Sequence, residues 1–168
     1  MGEVGGRRRE GSHYGERMLS PGDTAPTAAL LDQTAAPFDW KSIKGKRALI
    51  FFYPKASTPG CTQQACGLRD VVGQVGDTQI IGVSPDKPAA QKKFADKYEL
   101  PYPLLADTEH ELAEAYGVWK MKSMYGRQYM GIERSAFLVG PKGKIEQAWY
   151  KISPKDTPLK LLEALEKG

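Results

Sequence analysis

Cysteine and histidine are scarce in this chain of 168 residues, with two of each: Cys61, Cys66, His13 and His110. Two cysteines are too few for a small secreted domain stapled by disulfides. With the histidines far away in sequence they form no recognisable zinc ligand set, so neither a metal nor a cofactor is expected. Long hydrophobic runs are missing too. The longest, Ala48–Tyr53, has six residues, against about twenty for a membrane span. Charge of one sign is also lacking: 24 Lys+Arg against 20 Asp+Glu leave a net +4. These charges are spread along the chain, whereas a nucleic-acid binder concentrates basic residues into a stripe or a run. Membrane and nucleic acid therefore drop out as expected partners. What is present, 40% apolar and 10% aromatic residues, suffices for one ordinary domain with a proper core.

The one dense basic cluster, Arg7-Arg8-Arg9, lies in a peculiar stretch. Residues 1–17 hold five Gly, four Arg and three Glu, with Met1 and Val4 their only aliphatic residues. Such a segment buries too little surface to offset its ordering entropy, and it reads as a disordered extension or a cloning remnant. Met18 is an alternative start, and residues 18–168 read as the folded domain. No apolar stretch of the secretory kind is present near the N-terminus, so a reducing, cytoplasmic setting is the default expectation. A close cysteine pair there is more often catalytic or redox-active than structural.

Short strand-like pieces come first, at residues 28–31 and 37–40, followed by a turn through Lys44-Gly45-Lys46. Ala48–Tyr53 is a continuous apolar run rich in β-formers, which fits a strand buried on both faces and ended by Pro54. Thr58-Pro59 is a helix start, with Thr58 as N-cap and Pro59 at the first helical position. Beyond it Cys61, Ala65, Leu68, Val72 and Val75 recur at helical spacing. Residues 79–83 form the next strand, residues 88–98 a helix packing Ala90, Phe94 and Tyr98 inward, residues 101–106 an extended segment, and residues 109–116 a short helix ending at Gly117. Residues 136–139 and 144–149 read as a hairpin. Thr157-Pro158 repeats the cap-plus-proline signal and opens a last helix with Leu159, Leu162 and Leu165 inside. Strand–helix–strand units imply parallel pairing and the hairpin implies antiparallel pairing. The expected class is α/β, a mixed central sheet flanked by helices.

With Thr58 as N-cap, Cys61 falls in the first helical turn. Unpaired backbone N–H groups and the positive end of the helix dipole favour an anion there, so this thiol is expected to react as its thiolate. It also sits at the C-terminal edge of a buried strand, the usual place for a site in an α/β sheet. The plainer alternative is a small buried hydrophobe. In an intact helix, five residues separate two Cα atoms by about 7.5 Å of rise and about 140° of rotation, roughly 8.6 Å in all. A disulfide tolerates about 7 Å. Either Cys61 and Cys66 never bond, or the first turns unwind. Gly60, Gly67, Gly73 and Gly76 lie in or beside this helix, each interior one costing roughly 1 kcal/mol, and they favour unwinding.

Residues 52–62, Phe-Tyr-Pro-Lys-Ala-Ser-Thr-Pro-Gly-Cys-Thr, contain the Pro-x-x-x-Thr-x-x-Cys signature of the peroxiredoxins. The continuation Gln63-Gln64-Ala65-Cys66 resembles the bacterioferritin comigratory protein (PrxQ) branch. The likeness runs on through residues 107–119 and 131–139 and covers residues 18–168. It implies a thioredoxin-like fold and a thiol-dependent peroxidase acting on hydrogen peroxide and organic hydroperoxides. By position it makes Cys61 the peroxidatic cysteine and Cys66 the resolving one, joined in an intramolecular disulfide that thioredoxin or a similar dithiol protein reduces. Thr58 and the Cys61 amide become donors to the departing oxygen, Arg134 the cation facing the sulfur, and Pro54 a wall against water. The branch implies a monomer. A thiol–disulfide exchanger would want Cys-x-x-Cys; a non-catalytic redox sensor or holdase is the rival from another class.

Other features carry less. Met121, Met124, Tyr125, Tyr129 and Met130 read as loop residues packing on the core, with an apolar lip over the sulfur as the alternative. His110 reads as a solvated surface residue, and Asp77, Asp86 and Asp107 as turn and cap residues.

Overall fold

The computed structural model describes residues 18–167; the extension at residues 1–17 and His13 lie outside them. The organising strand is β1 (Ala48–Phe52), buried at every position. Its alternating side chains feed two cores. Leu49, Phe51 and Tyr53 point into one, and Ala48, Ile50 and Phe52 into the other.

The chain continues through α1 (Pro59–Asp70), β2 (Gln79–Ser84), α2 (Pro88–Tyr98), β3 (Leu104–Ala106) and α3 (Glu111–Ala115). Then follow β4 (Trp119–Met124), β5 (Arg127–Ile132), β6 (Ser135–Val139), β7 (Ile145–Trp149) and α4 (Asp156–Lys167). The main sheet runs β3-β2-β1-β6-β7. β1, β2 and β3 are parallel, while β6 is antiparallel to β1 and β7 to β6. The mixed sheet expected from the strand–helix order and the terminal hairpin is therefore present.

Four local expectations are corrected. Residues 28–40 form no strands: Leu31 makes single bridges to Pro37 and Ala106, and Trp40–Ile43 is a 3₁₀ turn capped by the Asp39 carboxylate. The helical stripe of α1 stops at Leu68. Val72 begins a separate 3₁₀ turn and is exposed, so only Val75 of that pair is buried. In α4 the helix begins at Asp156, whose N–H donates to Ser153 Oγ at 3.0 Å. Thr157 and Pro158 thus lie buried inside the first turn, Leu161 is the core residue, and Leu159 faces outward. Finally, the Met/Tyr stretch is not a loop packed on the core. It is the antiparallel pair β4–β5, separate from the main sheet, with Met121, Met124, Tyr125, Tyr129 and Met130 all exposed.

Candidate active site

β1 ends at the turn Pro54–Ser57, and Ser57 adopts a left-handed conformation (φ 65°) that redirects the chain into α1. The Ala56 amide donates to the Asp86 carboxylate at 2.7 Å, which ties this turn to the end of β2. Asp86 is thus a turn anchor, in keeping with its expected role. Asp107 likewise caps α3, accepting from the Leu112 and Ala113 amides at 3.1 and 2.8 Å. Burial still pushes its carboxyl above the ordinary value, against those backbone hydrogen bonds.

Thr58 stands at the N-cap with extended backbone, and its carbonyl accepts from the Thr62 amide at 2.8 Å. Its side chain does not cap. The hydroxyl donates instead to Lys55 O at 2.8 Å, holding the turn closed. Pro54, half-buried, lies two residues beyond the end of β1. Cys61 lies in the first turn of α1 and is 1% exposed. Residue 57, four positions back, is outside the helix, so the Cys61 amide keeps a free N–H at the sulfur's own position.

Arg134 comes from the far side, out of the link between β5 and β6. Its Nη1 lies 3.4 Å from Cys61 Sγ and donates to Gln64 Oε1 at 2.8 Å. Gly60 makes room: a Cβ there would stand 3.1 Å from Arg134 Nη2. Gln64 Nε2 donates in turn to Thr157 Oγ1 at 2.9 Å, and that hydroxyl donates to Ser153 O at 2.9 Å. A buried chain of hydrogen bonds therefore runs from the guanidinium through α1 to the start of α4. Lys122 of β4 belongs to the same electrostatic neighbourhood. Burial first, and Arg134 second, pull its ammonium below the ordinary lysine value, while Cys61 and Glu133 oppose the shift.

Cys66 is half-buried in the second turn of α1, and both cysteines are free thiols. An unbroken helix spans them, so the structure corresponds to the fully folded, reduced arrangement. Among the described residues no group of three or more His, Cys, Asp or Glu side chains is gathered as a metal would require.

Cys61, Arg134, Thr58 and Pro54 are thus brought to one sheet edge, and Cys66 is held apart one turn along the helix. Gln64 and Thr157 were missed from the sequence. Gln64 left a signal, because a polar residue three after Cys61 and four before Leu68 falls inside the apolar stripe. Lys122 left none: only the tertiary fold brings it near position 61. His110, expected in solvent, stacks on Trp119 with ring centroids 3.8 Å apart.

A buried thiol in a first helical turn, faced by a guanidinium, is a site for attack by sulfur on an electrophilic atom. Comparison with known proteins agrees. The AhpC/TSA family model matches residues 21–148. The chain belongs to this family, as a peroxiredoxin of the Bcp/PrxQ type. It is 43% identical over 147 residues to peroxiredoxin Bcp of Bacillus subtilis, covering 86% of this chain and 94% of that protein. With peroxiredoxin Bcp of Escherichia coli it shares 44% over 133 residues, 78% of this chain and 85% of the other. A solved structure of Xanthomonas campestris peroxiredoxin Q superimposes with a TM-score of 0.79 at 34% identity, covering 83% of this chain and 90% of that one. This peroxiredoxin is a thiol-dependent peroxidase that reduces hydroperoxides at the expense of a thiol reductant. No helix among the described residues is long and apolar enough to cross a membrane.

Proposed function

We propose that Cys61 is the peroxidatic cysteine of this peroxidase and Cys66 its resolving cysteine. The observation that carries the assignment is the 3.4 Å approach of Arg134 Nη1 to a buried Cys61 Sγ at a helix start. The guanidinium presents a positive charge and N–H donors to the sulfur, so it stabilises negative charge that develops at that position during the reaction. The thiolate attacks the terminal peroxide oxygen, the O–O bond breaks, and Cys61 becomes a sulfenic acid. Two electrons pass from sulfur to the peroxide. The departing RO⁻ takes a proton and leaves as ROH. While it forms, the free Cys61 N–H and Arg134 are donors already in place for its charge. Thr58 joins them if its hydroxyl turns from Lys55 O, and Pro54 limits water at the sulfur.

Resolution then needs α1 to open. The Cys66 sulfur attacks the sulfenic sulfur, forming the disulfide and releasing water. A dithiol protein of the thioredoxin type restores both thiols and becomes oxidised itself. A trapped intermediate/ligand complex of the Xanthomonas campestris bacterioferritin comigratory protein addresses alkyl peroxide reduction, and we extend that substrate class to this chain alongside hydrogen peroxide. The thiol pair suits a monomer working in a reducing compartment such as the cytoplasm, since both sulfurs lie on one helix.

The mass of the intact chain before and after one equivalent of peroxide tests the scheme. A loss of two hydrogens with both thiols blocked to alkylation is the expected result. A stable gain of one oxygen would remove Cys66 from the mechanism, and retention of peroxide consumption in Cys61→Ser would overturn the scheme altogether.

A further inference from the structure

A cavity opens at the end of the sheet away from the cysteines. β1 pairs with β6 from Phe52–Ser135 at the cysteine end to Ala48–Val139 at the other, about 13 Å along the strand. Beyond Val139 a cavity of about 390 Å³ lies between the N-terminal segment, the 3₁₀ turn Trp40–Ile43 and the β6–β7 turn. That volume falls in the range of small-molecule sites.

Its floor is backed by Ile50, Tyr116 and Val139, which are almost wholly covered, and its accessible apolar wall is half-buried Trp40, Ile43, Ala25 and Pro26. The polar atoms of these walls are already engaged. Tyr116 OH donates to Pro26 O at 2.9 Å, and Trp40 Nε1 donates to Ala28 O at 2.7 Å. The interior therefore offers apolar surface and little else. The mouth is different: Lys41, Lys44 and Lys142 line it, all exposed and, among the described residues, none in an ion pair. No Asp or Glu lines the cavity. The acids nearby are committed elsewhere, Glu146 to Arg47 at 2.8 Å and the Asp39 carboxylate to the Lys41 amide at 3.0 Å.

We propose that this cavity is a binding site for a small amphipathic carboxylate, with its alkyl chain on Trp40, Ile43 and Pro26 and its carboxylate among Lys41, Lys44 and Lys142. Apolar contact gives the affinity, and the three ammonium groups, with no acid among the lining residues, select an anion over its neutral counterpart. The site is separate from the cysteines, so it neither depends on the peroxidase assignment nor competes with hydroperoxide for space.

The test is titration of the full-length reduced protein with octanoate, followed by the indole N–H resonances in a heteronuclear NMR spectrum. Trp40 lines the cavity, whereas Trp119 and Trp149 do not, so the three indoles act as position markers. Octanoate is expected to shift Trp40 saturably and leave Trp119 in place, and 1-octanol is expected to bind more weakly. Combined Lys41→Gln, Lys44→Gln and Lys142→Gln substitution should weaken octanoate by about tenfold, because three exposed charge pairs are each modest, with little change for octanol. Ala25→Phe, which fills the cavity from its half-buried wall, should abolish the Trp40 shift. The proposal fails if Trp40 does not respond, if the shift falls on Trp119 instead, if octanol matches octanoate, or if the glutamine variant binds octanoate as the parent does.

Discussion

β1 and α1, the helix that carries Cys61, are neighbours of opposite character. β1 is sealed on every side: each residue is buried, a strand pairs along each edge, and aromatic rings pack on both faces, Phe51 stacked with Tyr53 and Phe52 edge-on to Phe137. α1 buries only Cys61, Gln64, Ala65 and Leu68 of its twelve residues and carries two glycines. Its contact with α4 is close but narrow, such that a Cβ on Gly67 would stand 3.2 Å from Pro158 Cγ. The difference matches two steps with opposite demands. Attack on peroxide requires charges fixed in place beforehand, whereas joining Cys61 to Cys66 requires the helix to give way. A fully buried strand beside a helix with only four buried residues suits both demands of the proposed scheme.

This contrast can be broken most sharply at the sulfurs. Cys61→Ser should abolish peroxide consumption in a stopped-flow assay. Cys66→Ser should keep a normal first oxidation, lose turnover with a thioredoxin system, and accumulate sulfinic acid by mass spectrometry. Next comes the fixed wall. Arg134→Ala should slow the first oxidation by roughly 10²-fold, the usual loss for one preorganised donor, with rapid-quench kinetics as the measure. A change under about threefold would mean that the helix terminus alone activates the sulfur.

The stability difference follows. Phe51→Ala should cost about 3–5 kcal/mol in urea unfolding, the range for a large buried ring. Native-state hydrogen exchange should show the amides of residues 62–68 opening locally well below the global unfolding free energy that protects β1. Equal protection in the two elements would remove the structural basis for unwinding. The smallest effect concerns Lys122. Its ammonium is held below the ordinary lysine value chiefly by burial, so folding disfavours its charged form. That penalty is present at neutral pH and is relieved as pH rises through the lowered value toward the ordinary one. Lys122→Met should therefore raise Tm slightly at pH 7, and the gain should shrink in the alkaline range.

Much of the frame was legible in residue order. The all-apolar run at residues 48–53 announced a two-sided strand, and Thr58-Pro59 placed the start of α1. Where the chain is two-sided or capped, local chemistry leaves few alternatives. The hairpin β4–β5 was not legible. Met121, Met124, Tyr129 and Met130 stay in solvent, so no alternation of buried and exposed positions marks it as strand. Leu159 misled for a related reason: Thr157-Pro158 imitates a helix cap, but the helix begins at Asp156, whose amide donates to Ser153 Oγ, and Leu161 with Leu162 and Leu165 faces the core instead.

By itself the sequence determined that a thiol stands in the first turn of a helix, because the cap-plus-proline start and the unpaired N–H groups that follow it are all local. The tertiary structure alone decided what surrounds that thiol. Arg134, 73 residues away in the chain, and Thr157, 93 away from Gln64, meet α1 only when β6 pairs with β1 and α4 packs across the helix. The Lys-rimmed cavity at the opposite end arises in the same way. Its floor comes from β1, α3 and β6, three segments whose proximity no local pattern encodes and only the closing of the sheet brings about.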